Sequence, residues 1–409
     1  MNTSIYDKLK KLIMVLLMAS LPFHIHVSSI LIILGVLLTI FKILTKNEWQ
    51  KLELSQLSIS LLFFLFVELI GLVYTSKENI GVGLFNIEKH LSFIFLPILF
   101  VDFNIDEKLR RLLLLVFVIS CFFAMLFCVV INIRLSLVEG KYFHEYYFSH
   151  DRFSQPIEMQ AVYFGLYLSW AVLILGSLYL EKPIKKSNIF FVSFFVLIFI
   201  LGLVATGART VLGALTITVF ANLLIYAINI KSYKTLLVAI AFPLVVAVLV
   251  SLNPVSRTRF LDVLNKNAEK SSYDSYFART YIWRPGLEAV KENFWFGVGT
   301  GDGQTELDKK FIKYNYSAGI GLFNMHNQYL QLMLDLGLVG LFAFIAIFFI
   351  HLRNAYFKMD FLYLSFLSLF MISCLTESML NRNKGVLFFV LFGIVLFKSH
   401  STSKSPRGN

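Results

Sequence analysis

Cysteine is scarce in this chain, and its placement rules out several classes of protein. The three cysteines, Cys121, Cys128 and Cys374, all fall inside apolar runs. That pattern excludes a disulfide-stapled secreted fold and disfavours a thiolate metal site. His144, Glu145, His150 and Asp151 cluster in one loop, yet their spacing matches no zinc or calcium pattern. An aromatic interfacial segment is the better reading there, so no metal and no other cofactor is expected. No internal repeat is visible. Lys8, Lys10 and Lys11 precede an apolar run as in a signal peptide, but no small-residue cleavage site leads into a soluble domain. The segment reads as a first membrane helix, retained.

What the chain has in abundance is apolar surface. Of 409 residues 57% are hydrophobic, 43 are Phe, and the mean hydropathy is +0.73. Soluble domains lie nearer 45–50% apolar, so this is an integral membrane protein, all-α and polytopic. The net charge of +12 does not point to nucleic acid. Most Lys and Arg sit in short loops between apolar runs, where topology bias accounts for them. Runs long enough to span about 30 Å of hydrocarbon appear near 10–25, 28–45, 55–74, 84–101, 109–133, 159–180, 187–206, 210–229, 234–252, 327–351, 361–378 and 385–398. About twelve helices are expected, the fourth interrupted by Glu88, Lys89 and His90. Cations concentrate on alternate loops in a way that puts both termini in the cytoplasm.

This divides the chain into helices 1–9 over 1–252, with a short outer loop at 134–158, and a large, partly helical outer loop at 253–326. Helices 10–12 follow over 327–398, then a disordered polar tail over 399–409. The large loop recurs in Phe, Tyr and Trp, enough to make an apolar face. Within it, Pro285 is placed at the start of an amphipathic helix carrying Leu287, Val290 and Phe294.

Candidate functional residues gather at the outer ends of helices. Asn324, Gln328, Gln331 and Asp335 are spaced by four, three and four, which puts them on one face if the segment is helical. Interhelical hydrogen bonding and a functional role stand side by side for Gln331 and Asp335. His326, with Asn327 beside it, sits at the mouth of the tenth span. There an imidazole is placed to take a proton from a bound hydroxyl. Gly337 and Gly340 read as positions that let a neighbouring helix approach. Arg279 and Trp283, four apart, share a face, and Arg284 adjoins Pro285. Guanidinium suits phosphate oxygens in a two-pronged way that lysine cannot match. Gly297-Val298-Gly299-Thr300-Gly301-Asp302-Gly303 reads either as a backbone anion cradle or as a plain turn. Arg209, in the short turn Gly207-Ala208-Arg209-Thr210, either snorkels to headgroups or adds a cation to the same pocket. Arg152 faces the same outer vestibule. Glu377, with Asn381, Arg382 and Lys384 nearby, is placed to orient a histidine or pair with an arginine.

Three stretches in order carry a resemblance: G-A-R-T at 207–210; R-T-Y-I-W at 279–283 running into F-W-F-G-V-G at 294–299; and H-N, nine residues, then G-L-V-G from His326 to Gly340. Together they resemble the bacterial O-antigen ligases and the related O-antigen and exopolysaccharide polymerases, firmly from about 200 to 395. Leu341-Phe342 departs from the Thr-Trp that many ligases carry there. The resemblance implies a metal-independent, inverting glycosyltransferase in the bacterial inner membrane, with its active site on the periplasmic face. The donor would be a glycan on undecaprenyl diphosphate and the acceptor a sugar hydroxyl of lipid A–core. It makes His326 the base or acceptor-orienting residue and Arg279 and Arg209 diphosphate ligands. Glu377 resembles an acidic position near the end of the family's penultimate helix, and the residue reading adds Trp283, Arg284, Asn327, Gln328 and Arg152 as candidate substrate contacts. The nearest rival is a polymerase joining lipid-linked repeat units. Some polymerases carry Arg, ten residues, then Gly in their outer loops, and no arginine in 134–158 or 253–326 has glycine at that spacing. A lipid-linked glycan transporter ranks lower, because the ionisable cluster concentrates at one membrane face apart from Glu68 and Asp335.

Overall fold

The computed structural model describes residues 3–46, 54–140, 145–181, 186–229, 231–252, 257, 275–316 and 319–399. His144, Arg259, most of 253–274 and the expected tail past Ser399 lie outside the described residues. The fold is all-α: α1 (Thr3–Ser20), α2 (Ile25–Lys46), α3 (Gln56–Val73), α4 (Ile80–Lys89), α5 (Ser92–Phe100), α6 (Glu107–Val138), α7 (His150–Ser154), α8 (Ala161–Glu181), α9 (Lys186–Thr206), α10 (Arg209–Asn229), α11 (Tyr233–Leu252), α12 (Ser275–Glu292), α13 (Gly303–Lys313), α14 (Gln328–Phe357), α15 (Phe361–Cys374) and α16 (Asn383–Lys398).

Among the described residues nine stretches are long and apolar enough to cross a membrane. Three further helices fall below that mark, and the sequence count of about twelve depends on them. α1 carries Asp7, Lys8, Lys10 and Lys11, while α15 and α16 are short. The stretch Lys77–Phe100 is broken at His90 and Leu91 into α4 and α5, where the run of charged residues interrupts the apolar pattern.

The shortness of α16 follows from where it lies. Every residue from Gly385 to Leu396 is buried, as expected of a helix that is apolar all round. Phe117, Tyr167, Trp170 and Phe366 close around its Phe388 and Phe392. The Tyr167–Phe388 rings are stacked at 4.9 Å and the Phe117–Phe392 rings meet edge-on at 4.8 Å. Such aromatic pairs contribute about 0.5–1.5 kcal/mol each beyond area burial. Large apolar side chains on α2, α3, α6, α9 and α11 face outward instead, the pattern of a lipid-facing perimeter.

The two ends of the bundle differ. At one, Lys10, Lys42 and Tyr6 converge on Asp102, and Arg110 pairs with Asp360 at 2.9 Å. Burial pushes the Asp102 carboxyl up, but the Lys10 charge and the hydrogen bonds from Lys10, Lys42 and Tyr6 outweigh it and hold it below its usual range. The other end carries a second unit, in which Ile282, Ala289, Val290, Leu307, Phe311, Met325, Met333 and Leu334 share one apolar cluster. That core runs from α12 and α13 into the first two turns of α14.

Three expectations are corrected here. Pro285 does not start a helix; it lies inside α12, which begins ten residues earlier at Ser275, so Arg284 is mid-helix. Asn324 is not on a helix face, because α14 starts at Gln328. Asn327 caps it by accepting from the Tyr329 and Leu330 N–H groups at 3.0 and 3.1 Å. Gly337 does admit a neighbour, but the neighbour is the turn and loop of residues 294–299 and not a helix.

At Gly337 (φ 63°, ψ −157°) α14 is interrupted. The helical bonds from Leu338 N–H to Leu334 C=O and from Val339 N–H to Asp335 C=O are therefore missing. Residues 294–299 replace them group for group. Val298 and Gly299 donate to the Leu334 and Asp335 carbonyls at 2.9 Å each, while Leu338 and Val339 donate to Phe294 and Trp295 at 2.9 and 3.4 Å. Apolar surroundings demand that accounting, since an unpaired backbone group there is costly. The glycine run continues against α3, where Thr300 donates to Gly71 C=O at 3.3 Å and Gly301 N–H to Thr75 Oγ1 at 3.2 Å. Its N–H groups are thus spent on protein.

Close approach requires glycine on both sides. A Cβ at Gly297 would stand 2.4 Å from Leu336 N, and one at Gly337 2.4 Å from Trp295 C and O; both residues also hold positive φ. Gly297→Ala and Gly337→Ala are each expected to cost about 2–4 kcal/mol of stability. Gly81→Ala, with nothing within 4 Å, is expected to be neutral. Denaturation of the detergent-purified variants checks this, and equal midpoints for all three would refute it.

α12 and α13 are tied by Glu288, which accepts from Tyr314 OH at 2.6 Å and Lys310 at 3.1 Å, and also from Lys313. Lys313, Tyr314 and Lys310 pull its carboxyl from about 4.5 down to about 2. A depressed carboxyl stabilises the fold above its unfolded value and loses that contribution as pH falls toward the folded one. The melting temperature is therefore expected to drop between about pH 4.5 and pH 2, and Glu288→Gln should flatten that part of the curve.

Candidate active site

The site is built at the N-terminal end of α14, against the connection between α15 and α16. His326 sits just before the cap with φ 43°, a left-handed conformation unusual for a residue with a side chain. Asn324 Oδ1 holds it by accepting from His326 N–H at 2.8 Å. The Trp283 indole N–H donates to Met325 C=O at 3.0 Å, pinning the preceding residue to α12. Strain of this kind persists only where surroundings over-determine it.

His326 Nδ1 lies 3.2 Å from Glu377 Oε2. In the neutral tautomer that donates Nδ1–H to this carboxylate, the ring keeps its lone pair on Nε2. Glu377 Oε1 in turn accepts from Ser378 N–H at 3.2 Å. The His326 and Glu377 side chains are 28% and 15% exposed, so the pair is reachable but sheltered.

Arg279 reaches the same connection from α12 and donates Nη2–H to Thr376 C=O at 3.0 Å. Its Nε is buried with no hydrogen-bond partner among the described residues. Burial pushes the guanidinium below its usual range, the Glu377 carboxylate opposes that, and the Arg209 charge adds to it. Arg209 therefore lies within electrostatic range of Arg279, carried on the tight turn that Gly207 makes with φ 59°. Residues 47 to 168 positions apart in the chain, Arg209, Arg279, His326 and Glu377, thus meet at one end of the bundle.

Other sequence-derived candidates occupy different places. The Asn327 amide donates to Leu375 C=O at 2.9 Å while its oxygen caps α14. Gln328 is buried and accepts from Leu380 N–H at 2.7 Å. Both side chains, with Trp283, hold backbone around the site. Gln331 donates to both Asp335 oxygens at 3.1 and 3.0 Å and accepts from Met325 N–H at 3.1 Å. Arg284 points elsewhere, exposed over the Tyr314 ring at 5.3 Å. Arg152 lies in α7, bonded to Gln155 at 3.1 Å and over the Tyr146 ring at 5.0 Å.

One buried pair escaped the sequence reading. His90 Nδ1 is 2.7 Å from Glu68 Oε1, and His90 Nε2 is 2.9 Å from Leu380 C=O. Both ring nitrogens face acceptors. The Glu68 backbone carbonyl also accepts from Thr300 Oγ1 at 2.6 Å. The pair therefore joins α3, the α4–α5 break, the inserted glycine run and the connection that carries Glu377. Each residue was visible as an ionisable group inside an apolar run, a signal of function by default; their pairing across 22 residues was not.

These features define a polytopic helical membrane protein with a histidine, a carboxylate and arginines gathered at one end. Residues 194–345 match the model of the O-antigen ligase family. The match supports assignment to that family, and with it a ligase or polymerase type of glycosyl transfer involving lipid-linked glycans in a bacterial membrane. An uncharacterized protein of Haemophilus influenzae is 27% identical over 309 residues, covering 72% of this chain and 71% of that one.

Removing one member of a buried ion pair leaves the other uncompensated, at about 3–5 kcal/mol. Glu68→Leu and His90→Leu are each expected to destabilise by that order. The double variant should lose less than the sum of the two, and strict additivity in a double-mutant cycle would show that the groups do not interact.

Proposed function

We propose that the protein transfers a glycan from undecaprenyl diphosphate to a sugar hydroxyl of lipid A–core, on the periplasmic face of the inner membrane. In this reading His326 Nε2 takes the proton of the attacking hydroxyl and Glu377 holds the ring in the required tautomer and steadies the imidazolium. The hydroxyl oxygen bonds to the anomeric carbon, the bond from that carbon to the phosphate oxygen breaks, and the diphosphate leaves with inversion. Arg279 and Arg209 receive its charge in a water-poor setting, where such contacts are worth most. The observation that carries the reading is the buried, unpartnered Arg279 Nε beside the His326–Glu377 pair. A buried donor without an acceptor costs about 1–3 kcal/mol, and an anion would satisfy it.

Driving force travels with the donor, since a polyprenyl diphosphate is already a good leaving group. The remaining tasks are charge neutralisation, proton removal and alignment, and two lipid-anchored substrates in one bilayer favour the last. The orientation follows from the positive-inside distribution of loop cations.

Loss of His326 in His326→Ala is expected to lower the transfer rate by about 10²–10⁴-fold while the protein still inserts. Arg279→Lys should also impair transfer although the charge is kept. Unchanged glycan attachment in His326→Ala would end its proposed role. Deletion in the native host tests the acceptor: core lacking O-chains with accumulated lipid-linked polymer marks a ligase, whereas core capped by single repeats marks a polymerase.

A further inference from the structure

Beside the candidate base runs a line of aromatic rings that the reaction scheme does not use. From the surface inward, the Tyr281 and Tyr316 rings are stacked at 5.4 Å and 18°, and Tyr316 and Phe323 at 6.5 Å and 9°. Phe323 then meets the His326 ring at 5.9 Å. Core packing accounts for the inner side of this line, where Tyr316 meets fully buried Phe311 edge-on at 5.4 Å. It does not account for the outer end. Tyr281 is 47% exposed, and Ile320 and Leu322 beside the line are exposed as well. Among the described residues the Tyr281 and Tyr316 hydroxyls have no hydrogen-bond partner. All of these residues lie outside the apolar spans.

We propose that Tyr281, Tyr316 and Phe323 form a saccharide track that presents the acceptor sugar to His326. A pyranose offers one face of C–H groups of slight positive polarity, which suits the electron-rich face of an aromatic ring. Its hydroxyls need partners at the rim, and two phenolic groups supply them. Aromatic side chains bring large contact area with few rotatable bonds, so little ordering entropy is lost on binding. The track ends on the histidine, not on the arginines, and this assigns it to the sugar that gives up a proton and not to the one leaving the diphosphate. The assignment of acceptor rests on the transferase reading; the saccharide site itself does not.

The test uses the full-length protein in lipid nanodiscs and two soluble probes without lipid: maltohexaose and a core oligosaccharide of hexoses and heptoses. Saturation-transfer NMR is expected to mark sugar C–H protons of at least one probe, and titration to give a dissociation constant. Tyr281→Ala, an exposed position that does not threaten folding, should weaken binding about five- to tenfold. Tyr281→Trp should keep it, and Tyr316→Phe should weaken it through loss of the hydroxyl alone. No saturation transfer to either probe, or wild-type binding in both Tyr281→Ala and Tyr316→Phe, overturns the track. Binding that depends on Tyr281 in a protein that transfers no glycan would sink the transferase reading and leave the track standing. Transfer with an unchanged acceptor KM in Tyr281→Ala would do the reverse.

Discussion

The interruption of α14 at Gly337 is the constraint on which the rest of the structure depends. A helix entering an apolar environment cannot simply lose two backbone bonds; four polar groups would be stranded, each at a cost of the order of a few kcal/mol. Residues 294–299 supply one partner for each, and they can approach only because glycines stand at 297 and 337. The first turns of α14 are thereby freed from the line of the long helix and packed into the core of α12 and α13. That displacement is what lets Asn327, His326 and Gln328 meet the α15–α16 connection. The unit formed by α12, α13 and the glycine run is clamped to the bundle by the same bonds, so Arg279 is brought to Glu377 by backbone geometry made elsewhere.

Charge in this protein is handled by location as much as by pairing. Around His326 and Glu377 the groups are sheltered but reachable, and the buried Arg279 Nε has no hydrogen-bond partner among the described residues. Around Glu68 and His90 every nitrogen and at least one oxygen is engaged, and the pair is buried. The first arrangement stays open to an incoming anion and hydroxyl. The second is closed and joins several chain segments at one point. A closed ionic joint is a poor source of net stability, so its value lies in fixing where the Leu380 carbonyl sits, three residues beyond Glu377. Arginine suits the open position because its planar donors keep their geometry when one of them is held by Thr376.

Legibility from sequence followed the physics of each feature. Spans were readable because hydrocarbon thickness imposes a run of apolar residues that no local rearrangement can evade. His326 and Arg279 were readable because an imidazole at a helix mouth and a guanidinium beside an aromatic helix stand out against an apolar chain. The start of α12 was misplaced because Pro285 is most at home in a first turn; here its missing N–H falls in a helix that packing sustains. The glycines from 297 to 303 were noticed but assigned to an anion or to a turn. Nothing local records that the Val298 and Gly299 N–H groups would be claimed by the Leu334 and Asp335 carbonyls, or those of Thr300 and Gly301 by Gly71 and Thr75 far back in the chain. Trp283, Asn327 and Gln328 were singled out as substrate contacts, yet their polar atoms bond to backbone. Residue type alone does not distinguish a group that holds a substrate from one that holds a loop.

The extent of the family match sharpens that point. Residues 194–345 contain Arg209, Arg279, the inserted segment and His326, but stop short of Glu377 and Leu380 and begin long after Glu68 and His90. Glu377, which faces His326 Nδ1, therefore comes from outside the matched stretch, while Asn324 and Trp283, which hold the backbone around the histidine, lie inside it. Several residues outside the match act through backbone atoms: Thr376 C=O on Arg279, Leu375 C=O on Asn327, Leu380 C=O on His90 and Leu380 N–H on Gln328. A backbone carbonyl leaves little trace in sequence, since most residues supply one in the same place provided the chain follows the same path. What selection can act on is the path itself, set here by the short buried α16, by Ser378 and Tyr163 near the turn, and by Gly385, whose missing Cβ would stand 1.9 Å from Met379 O. The connection from 375 to 385 is in this sense a template held at both ends, and His326 takes its orientation from it.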